Sequence, residues 1–308
     1  MIPRYSGNGL NSKKELSLKV LVTGAAGNAG QATCRALAAA GMEVRMADGT
    51  PPLADLADAG EFVRCDTRTP DDVRGAVQGV EAVVHLAAWH CAHIPPVSDA
   101  TIFAVNVDGT FNVLQACREQ GIQAVVYASS MAYGWGSVYS ATKVLGEDLC
   151  RMYHEMTGAS VAMLRYHDFV PKPYLAFGAK LLRNGVDRRD VADATVAAVQ
   201  AAAAKRIKLF RSIVHTDHGM PEAVRADFRR QGPDWCEAQV PGSARWLKEY
   251  DISLPDSVEQ HDLSEARTLM GWQPKYGFVE FLRDLESRVA RGEDVRALWT
   301  PSDLSRAA

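Results

Sequence analysis

Lys19-Val20-Leu21-Val22-Thr23-Gly24-Ala25-Ala26-Gly27-Asn28-Ala29-Gly30 is the stretch that decides the fold. Residues 19–22 form a short apolar, β-branched run that ends at Thr23-Gly24, and the alanine- and leucine-rich segment 31–40 stops at Gly41. The first reads as a strand and the second as a helix closed by glycine. Between them, three glycines recur at intervals of three. Gly24 permits the tight turn, Gly27 lets the backbone approach a pyrophosphate, and Gly30 lets helix and strand pack closely. The amides at the helix start, with its dipole, favour phosphate. The spacing is G-x-x-G-x-x-G, not the G-x-G-x-x-G of the standard fingerprint, so its force comes from its place between strand and helix. A glycine turn kept only for packing is the competing account.

Outward from that turn the pattern repeats. Residues 44–47, 62–65, 82–86, 124–127 and 161–164 read as strands. Residues 70–78, 106–120 and 138–157 read as helices, the first opened by Pro70 with Asp71 and Asp72 behind it. Strands alternating with helices of this length predict an α/β fold, a doubly wound parallel sheet. Beyond residue 171 the pattern loosens. Helices are expected at 190–205, 222–230 and 278–290 and a strand at 207–214, joined by turn-rich segments containing Pro233, Pro241, Pro255 and Pro274. The expected organisation is a dinucleotide-binding domain over 17–170 and a small substrate-binding or lid region over 171–299, interwoven with it. Residues 1–16 and 300–308 read as loose ends.

Composition narrows the function classes. Of 308 residues, 47% are hydrophobic and 23% charged, which excludes wholesale disorder. Thirty-four Lys and Arg against 37 Asp and Glu leave a net charge of −3, so there is no broad cationic surface for nucleic acid or a membrane face. Apolar stretches such as 196–204 are too short to span a bilayer, and residues 1–19 lack the apolar core of a signal peptide. A cytoplasmic enzyme is expected. Its six cysteines form no Cys-x-x-Cys pair and are expected to be reduced.

Asp48 ends the second strand, 18 residues after Gly30. A carboxylate there accepts hydrogen bonds from both ribose hydroxyls and repels a 2′-phosphate, selecting NAD over NADP. A turn-capping aspartate is the alternative. Asp66, after the third strand, suits either the adenine edge or a plain turn. Tyr139 and Lys143 are four apart on one helix face. A neighbouring ammonium stabilises a phenolate and is expected to pull the tyrosine pKa down, making it a usable acid or base. Tyr-x-x-x-Lys alone is common on solvated helices; here it follows a nucleotide turn and a strand ending Ala128-Ser129-Ser130.

The motifs Gly24-x-x-Gly27-x-x-Gly30, His85-Leu86-Ala87-Ala88, Asn106-Val107-Asp108-Gly109-Thr110, Ser129-Ser130 and Tyr139-x-x-x-Lys143 resemble the extended short-chain dehydrogenases/reductases, the NAD-dependent epimerase/dehydratase family. The resemblance runs from about residue 19 to 165, with a weaker echo over 262–278. Ala47-Asp48, Arg64-Cys65-Asp66 and Phe169-Val170-Pro171-Lys172-Pro173 are similar to the uronate dehydrogenases within it. The resemblance implies a Rossmann fold and NAD as cofactor. It further implies Tyr139 as general acid/base, Lys143 as partner of ribose and tyrosine, Ser130 as substrate-orienting hydroxyl, and Asn106 as support through its backbone. Cofactor contacts are expected from Gly24, Ala26, Gly27, Asn28, Ala29, Gly30, Asp48, Asp66, Leu86, Ala87, Ala88, Asn106, Tyr139 and Lys143. A homodimer through the helices 106–120 and 138–157 is implied by analogy.

Two departures from the family pattern stand out. Ser130 and Tyr139 are only nine residues apart, which leaves open whether Ser129 or Ser130 faces the substrate. Nucleotide-sugar epimerases of the family place further elements between the sixth strand and the next helix, including an arginine for the diphosphate; here 171–187 is short and that extra segment is missing, which favours a smaller substrate. Arg165, Lys180, Arg183, Arg188 and Arg189 are candidate anion contacts, with surface charge as the plainer account. Trp89, His90, Ser129, Met131 and His167 are expected near the substrate. The close-spaced pairs His90/His93 and His215/His218 lack the spacing of a zinc motif, and no metal is expected. The reading is an NAD-dependent oxidoreductase acting on a sugar or sugar acid, with nucleotide-sugar epimerase or dehydratase second and a non-catalytic NAD-binding regulator third.

Overall fold

The computed structural model describes residues 17–300, apart from 92 and 94. The expectations of loose ends at 1–16 and 301–308 therefore lie outside the described residues. In chain order the first half runs β1 (Lys19–Thr23), α1 (Asn28–Ala39), β2 (Glu43–Asp48), β3 (Glu61–Arg64), α2 (Pro70–Val77), β4 (Ala82–His85), α3 (Asp99–Phe103), α4 (Gly109–Gln120), β5 (Ala124–Ser130), α5 (Val138–Thr157) and β6 (Ser160–Tyr166). The second half runs β7 (Lys172–Pro173), α6 (Tyr174–Leu181), α7 (Arg188–Ala203), β8 (Leu209–Val214), α8 (Glu222–Ala226), α9 (Phe228–Gln239), α10 (Ser243–Glu249), α11 (Phe278–Ala290) and β9 (Trp299–Thr300).

Seven strands form one sheet in the order β3-β2-β1-β4-β5-β6-β8, parallel throughout. The chain winds outward from β1 to β3, then returns to lay β4 on the other side of β1. That reversal opens a crevice at the carboxyl ends of β1 and β4, the place where such sheets receive ligands. α1 and α7 cover one face over a core that includes Val20, Val22, Leu37 and Val199. α2, α4 and α5 cover the other over Leu21, Val83, Val125 and Tyr153. Strands buried on both faces explain why their sequences are almost continuously apolar.

The region beyond residue 171 is interwoven with the sheet, since α7 and β8 complete it. It also carries its own core, in which Phe177, Phe228, Trp246, Phe278 and Leu282 meet. Three expectations are corrected here. The helix expected at 222–230 is two helices, broken at Asp227 (φ −134°, ψ 53°). Pro233 lies inside α9 instead of a turn, because Phe228, Gly232 and Cys236 bury one face at four-residue spacing and that burial outweighs one lost backbone bond. Thr300 is not loose, since β9 pairs antiparallel with β7, Lys172 against Thr300. No helix among the described residues is long and apolar enough to cross a membrane.

Candidate active site

The glycine turn sits at the mouth of the β1/β4 crevice. Gly24 has φ +70°, and a Cβ on it would come within 2.6 Å of the Ala87 nitrogen. A Cβ on Gly30 would collide with the Gly24 carbonyl oxygen. These two glycines are therefore demanded by the fold itself. Gly27 is different: a Cβ there would meet only the Gly24 carbonyl oxygen, at 3.2 Å, so its other side is a cradle that a ligand backbone or phosphate can approach. Gly27 is also the N-cap of α1, where unpaired amides point at the turn.

Several of the expected cofactor residues are tied to neighbours. Asp48 accepts from the Ala26 amide at 3.0 Å and the Thr50 amide at 3.1 Å, so it braces the glycine turn and caps its own turn at once. Asn28 donates to the Phe169 carbonyl at 3.0 Å and accepts from Arg188, tying the turn to the segment after β6. Asp66 is engaged by Arg68, whose hydrogen bonds hold its carboxyl below the usual range. Leu86 follows β4, its amide donating to the Thr23 carbonyl. Beneath them His85 is buried between Thr23 Oγ1 at 2.7 Å and Thr110 Oγ1 at 2.9 Å, and burial pushes its pKa down to about 3.

The second half of the site is one β5–α5 unit. Ser137 caps α5 by accepting from the Ser140 amide, and this fixes where the helix starts. Tyr139 and Lys143 then face β5 together. Lys143 Nζ donates to the Ala128 carbonyl at 2.8 Å and lies 5.7 Å from the centre of the Tyr139 ring. Burial pushes the Lys143 pKa down to about 8. Tyr139 is 8% exposed, and the expected depression of its pKa is corrected: burial holds the phenol above its ordinary value, against an opposing hydrogen bond with Ser130. Ser129 donates to Glu147 at 2.5 Å.

Asn106 supports the site through its side chain as well as its backbone. Its Oδ1 accepts from the Trp89 amide at 2.8 Å, while its Nδ2 donates to the Trp89 carbonyl and to Thr142 Oγ1, each at 3.0 Å. It lies in a single π-helical turn, residues 104–108, between α3 and α4, a distortion that occurs often at functional sites. That clamp sets Trp89, and the His90 ring follows at 4.3 Å from the Tyr139 ring. Met131 is pinned by its amide to the Tyr166 carbonyl. His167 follows the Tyr166 that holds Met131, its ring packs against His215 and His261, and burial pushes its pKa down to about 3.

Sequence reasoning missed Glu147. It is buried and takes a two-pronged hydrogen bond from Arg165 at 2.7 and 2.8 Å, with Arg211 at 3.3 Å. Its signal was present, since 139, 143 and 147 share one helix face. The candidate anion contacts are engaged within the chain: Arg165 with Glu147, Lys180 with Asp168, Arg183 with the Ser253 carbonyl, Arg188 with Asn28 and Arg189 with Asp187.

Residues 20–172 match the model of the NAD dependent epimerase/dehydratase family. The uronate dehydrogenase of Pseudomonas putida is 26% identical over 171 residues, 50% of this chain and 62% of that protein. The chain thus spans less than two thirds of that relative's length. The UDP-glucose-4-epimerase of Stenotrophomonas maltophila, solved with NAD and formylated UDP-arabinopyranose, superposes with a TM-score of 0.64 at 19% identity, over 89% of this chain and 99% of that one. A short-chain dehydrogenase/reductase superfamily protein of Agrobacterium tumefaciens with bound NAD gives 0.65 at 22% identity, over the same shares. At those identities the likeness establishes the Rossmann-type fold. Through residues 20–172, this chain belongs to the NAD dependent epimerase/dehydratase family.

Proposed function

We propose that this protein is an NAD-dependent oxidoreductase that moves hydride between NAD and a hydroxyl-bearing carbon of a sugar or sugar acid, with Tyr139 as general acid/base. The observation that carries the reading is the convergence of Ser130, Tyr139 and Lys143 at the carboxyl end of β5, beside β4 and the glycine turn. The cradle at Gly27 and the Asp48 carboxylate at the end of β2 suit a dinucleotide. NAD, when bound, supplies the hydride acceptor. In the oxidative direction the substrate hydroxyl proton passes to the Tyr139 oxygen as hydride leaves the same carbon; reduction reverses both transfers. Ser130 holds the substrate oxygen, and Lys143, largely protonated at neutral pH, offsets the cost of a Tyr139 phenolate.

A substrate without a diphosphate is favoured because Arg165, Lys180, Arg183 and Arg189 are already engaged inside the protein. Residues 171–299 would supply the walls of the substrate pocket. Phe111 on α4 and Leu145 and Met156 on α5 stay exposed, which supports a homodimer through those helices, and the free cysteines suit a reducing cytoplasm.

The test is an absorbance screen of the protein with NAD⁺ against free sugars, uronic acids and nucleotide sugars. Net NADH with a free sugar or uronic acid is the expected result. Conversion of a nucleotide sugar without net NADH would move the reading to an epimerase or dehydratase. Tyr139→Phe should lower turnover about 10²–10⁴-fold while NAD affinity is kept; unchanged behaviour would leave a cofactor-binding regulator.

A further inference from the structure

Three histidines from distant parts of the sequence meet at the carboxyl edge of the sheet. His167 directly follows β6 and His215 directly follows β8, and these strands are neighbours. His261 reaches them from the segment between α10 and α11. The ring centres lie 4.4, 4.9 and 5.0 Å apart, and one nitrogen from each ring lies within 4.8 Å of the others. His167 and His215 are 5% and 0% exposed, and the His261 side chain is 15% exposed.

Each of the three rings carries at least one buried nitrogen without a hydrogen-bond partner. A neutral imidazole has one donor and one acceptor nitrogen. His215 Nε2 is 3.3 Å from the Arg183 carbonyl oxygen, which can only accept, so the ring proton sits on Nε2 and Nδ1 is a bare lone pair. His215 Nδ1, both His167 nitrogens and His261 Nε2 are buried with no hydrogen-bond partner. An imidazole whose far N–H is fixed by a backbone carbonyl, leaving the near nitrogen free, has the arrangement of a metal ligand with its supporting shell. His218 and His90, from the close-spaced pairs, do not share it. His218 is consumed by the Leu181 carbonyl and the Phe278 amide, and His90 lies against Tyr139.

We propose that His167, His215 and His261 form a three-histidine site for a first-row divalent cation, with zinc as its occupant. Three nitrogen donors suit zinc and its neighbours and not the oxygen-seeking magnesium or calcium. Zinc–nitrogen bonds of about 2.0–2.1 Å would draw the nitrogens together by roughly 1 Å, and His261 lies on a segment without regular backbone hydrogen bonding that would have to carry this shift. Glu259 brings a carboxylate oxygen to 3.9 Å from His261 Nε2, adding negative charge beside the cluster. His261 also lines a surface cleft of about 430 Å³ together with Asp217, Gln260 and Arg267, which supplies an access route for the ion. This differs from the expectation of no metal, because the ligands come from three places that sequence spacing does not link.

The test uses the untagged full chain, stripped with a chelator and titrated with Co²⁺ and then Zn²⁺. One Co²⁺ per chain is expected, with the visible absorption of a low-coordinate nitrogen site, displaced by Zn²⁺, and Zn²⁺ should raise the thermal midpoint. His261→Gln, the most exposed of the three and so the least disruptive to folding, should weaken binding at least about 100-fold, whereas His93→Gln should not. Absence of stoichiometric binding, or unchanged binding in a folded His261→Gln chain, would overturn the proposal.

Discussion

Ser129 and Glu147 are joined by a 2.5 Å hydrogen bond inside the protein, which commits the Ser129 hydroxyl to a structural partner. With Ser129 committed to Glu147, its neighbour Ser130 is the hydroxyl hydrogen-bonded to Tyr139. Glu147 in turn lies one turn of α5 beyond Lys143 and gathers Arg165 from β6 and Arg211 from β8. The helix that carries Tyr139 is thus anchored to three strands through one carboxylate.

Glu147→Ala should unfold more easily, by about 3 kcal/mol, because it strands the largely buried Arg165 guanidinium. Urea denaturation of the two chains checks this. A loss under 1 kcal/mol would mean that Arg165 finds water or another partner.

Lys143→Met should move stability the other way. Burial lowers the Lys143 pKa from 10.5 to about 8, so folding works against its charged form at every pH below about 10. Removing the charge should gain a net 1–2 kcal/mol, roughly, at pH 7 after loss of the bond to the Ala128 carbonyl, while turnover collapses. The gain should vanish above about pH 10.5. Thermal melts at pH 7 and pH 10.5, beside an activity assay, would show whether the two effects separate.

Gly24→Ala is expected to fail through its backbone. Its φ of +70° and the 2.6 Å approach of a Cβ to the Ala87 nitrogen leave no relaxed conformation. Stability should fall by about 1–3 kcal/mol and dinucleotide affinity with it. Gly41→Ala, also at positive φ but with open space around it, should cost about 1 kcal/mol or less and leave affinity alone.

Acid should destabilise the fold from about pH 6.5 downward. Burial lowers the pKa values of His85 and His218 to about 3 and 4, and His218 accepts from the Phe278 amide, a bond its charged form cannot keep. The unfolded chain binds these protons near pH 6.5, so stability present above 6.5 is lost as pH falls toward 4. Asp190 opposes this: burial raises its pKa to about 6, so its cost is relieved as pH falls through 6. With His167, whose pKa burial also lowers to about 3, the net expectation is about 3 kcal/mol less stability at pH 5.5 than at 7.5, measured by urea titration at both values.

Much of this was legible in the sequence wherever local chemistry and tertiary packing agree. α5 and α11 begin and end where read, at residues 138–157 and 278–290, because Ser137 and Gly277 start them and Gly158 stops the first. Legibility failed where packing overrides local preference. Pro233 argues for a turn, yet the buried Phe228–Gly232–Cys236 face keeps α9 helical. α6 went unread because Pro171 and Pro173 suggest only loop, although Pro173 caps it. In the site, pairs on one helix were readable and contacts across strands were not. Tyr139 and Lys143 lie four residues apart, whereas Glu147 and Arg165 are brought together only by the β5–β6 pairing that sets Ser129 beside Arg165.

Asp48 closes its own turn through Thr50 and holds the Ala26 amide of the glycine loop with its other oxygen. The residue that would choose between the two nicotinamide cofactors is thereby also a strut of the pocket that receives either one. Changing preference by exchanging Asp48 alone, whether in a laboratory library or along an evolving lineage, would loosen the loop in the same step. In this protein cofactor choice is not a free dial: a switch has to arrive together with a replacement brace for Ala26.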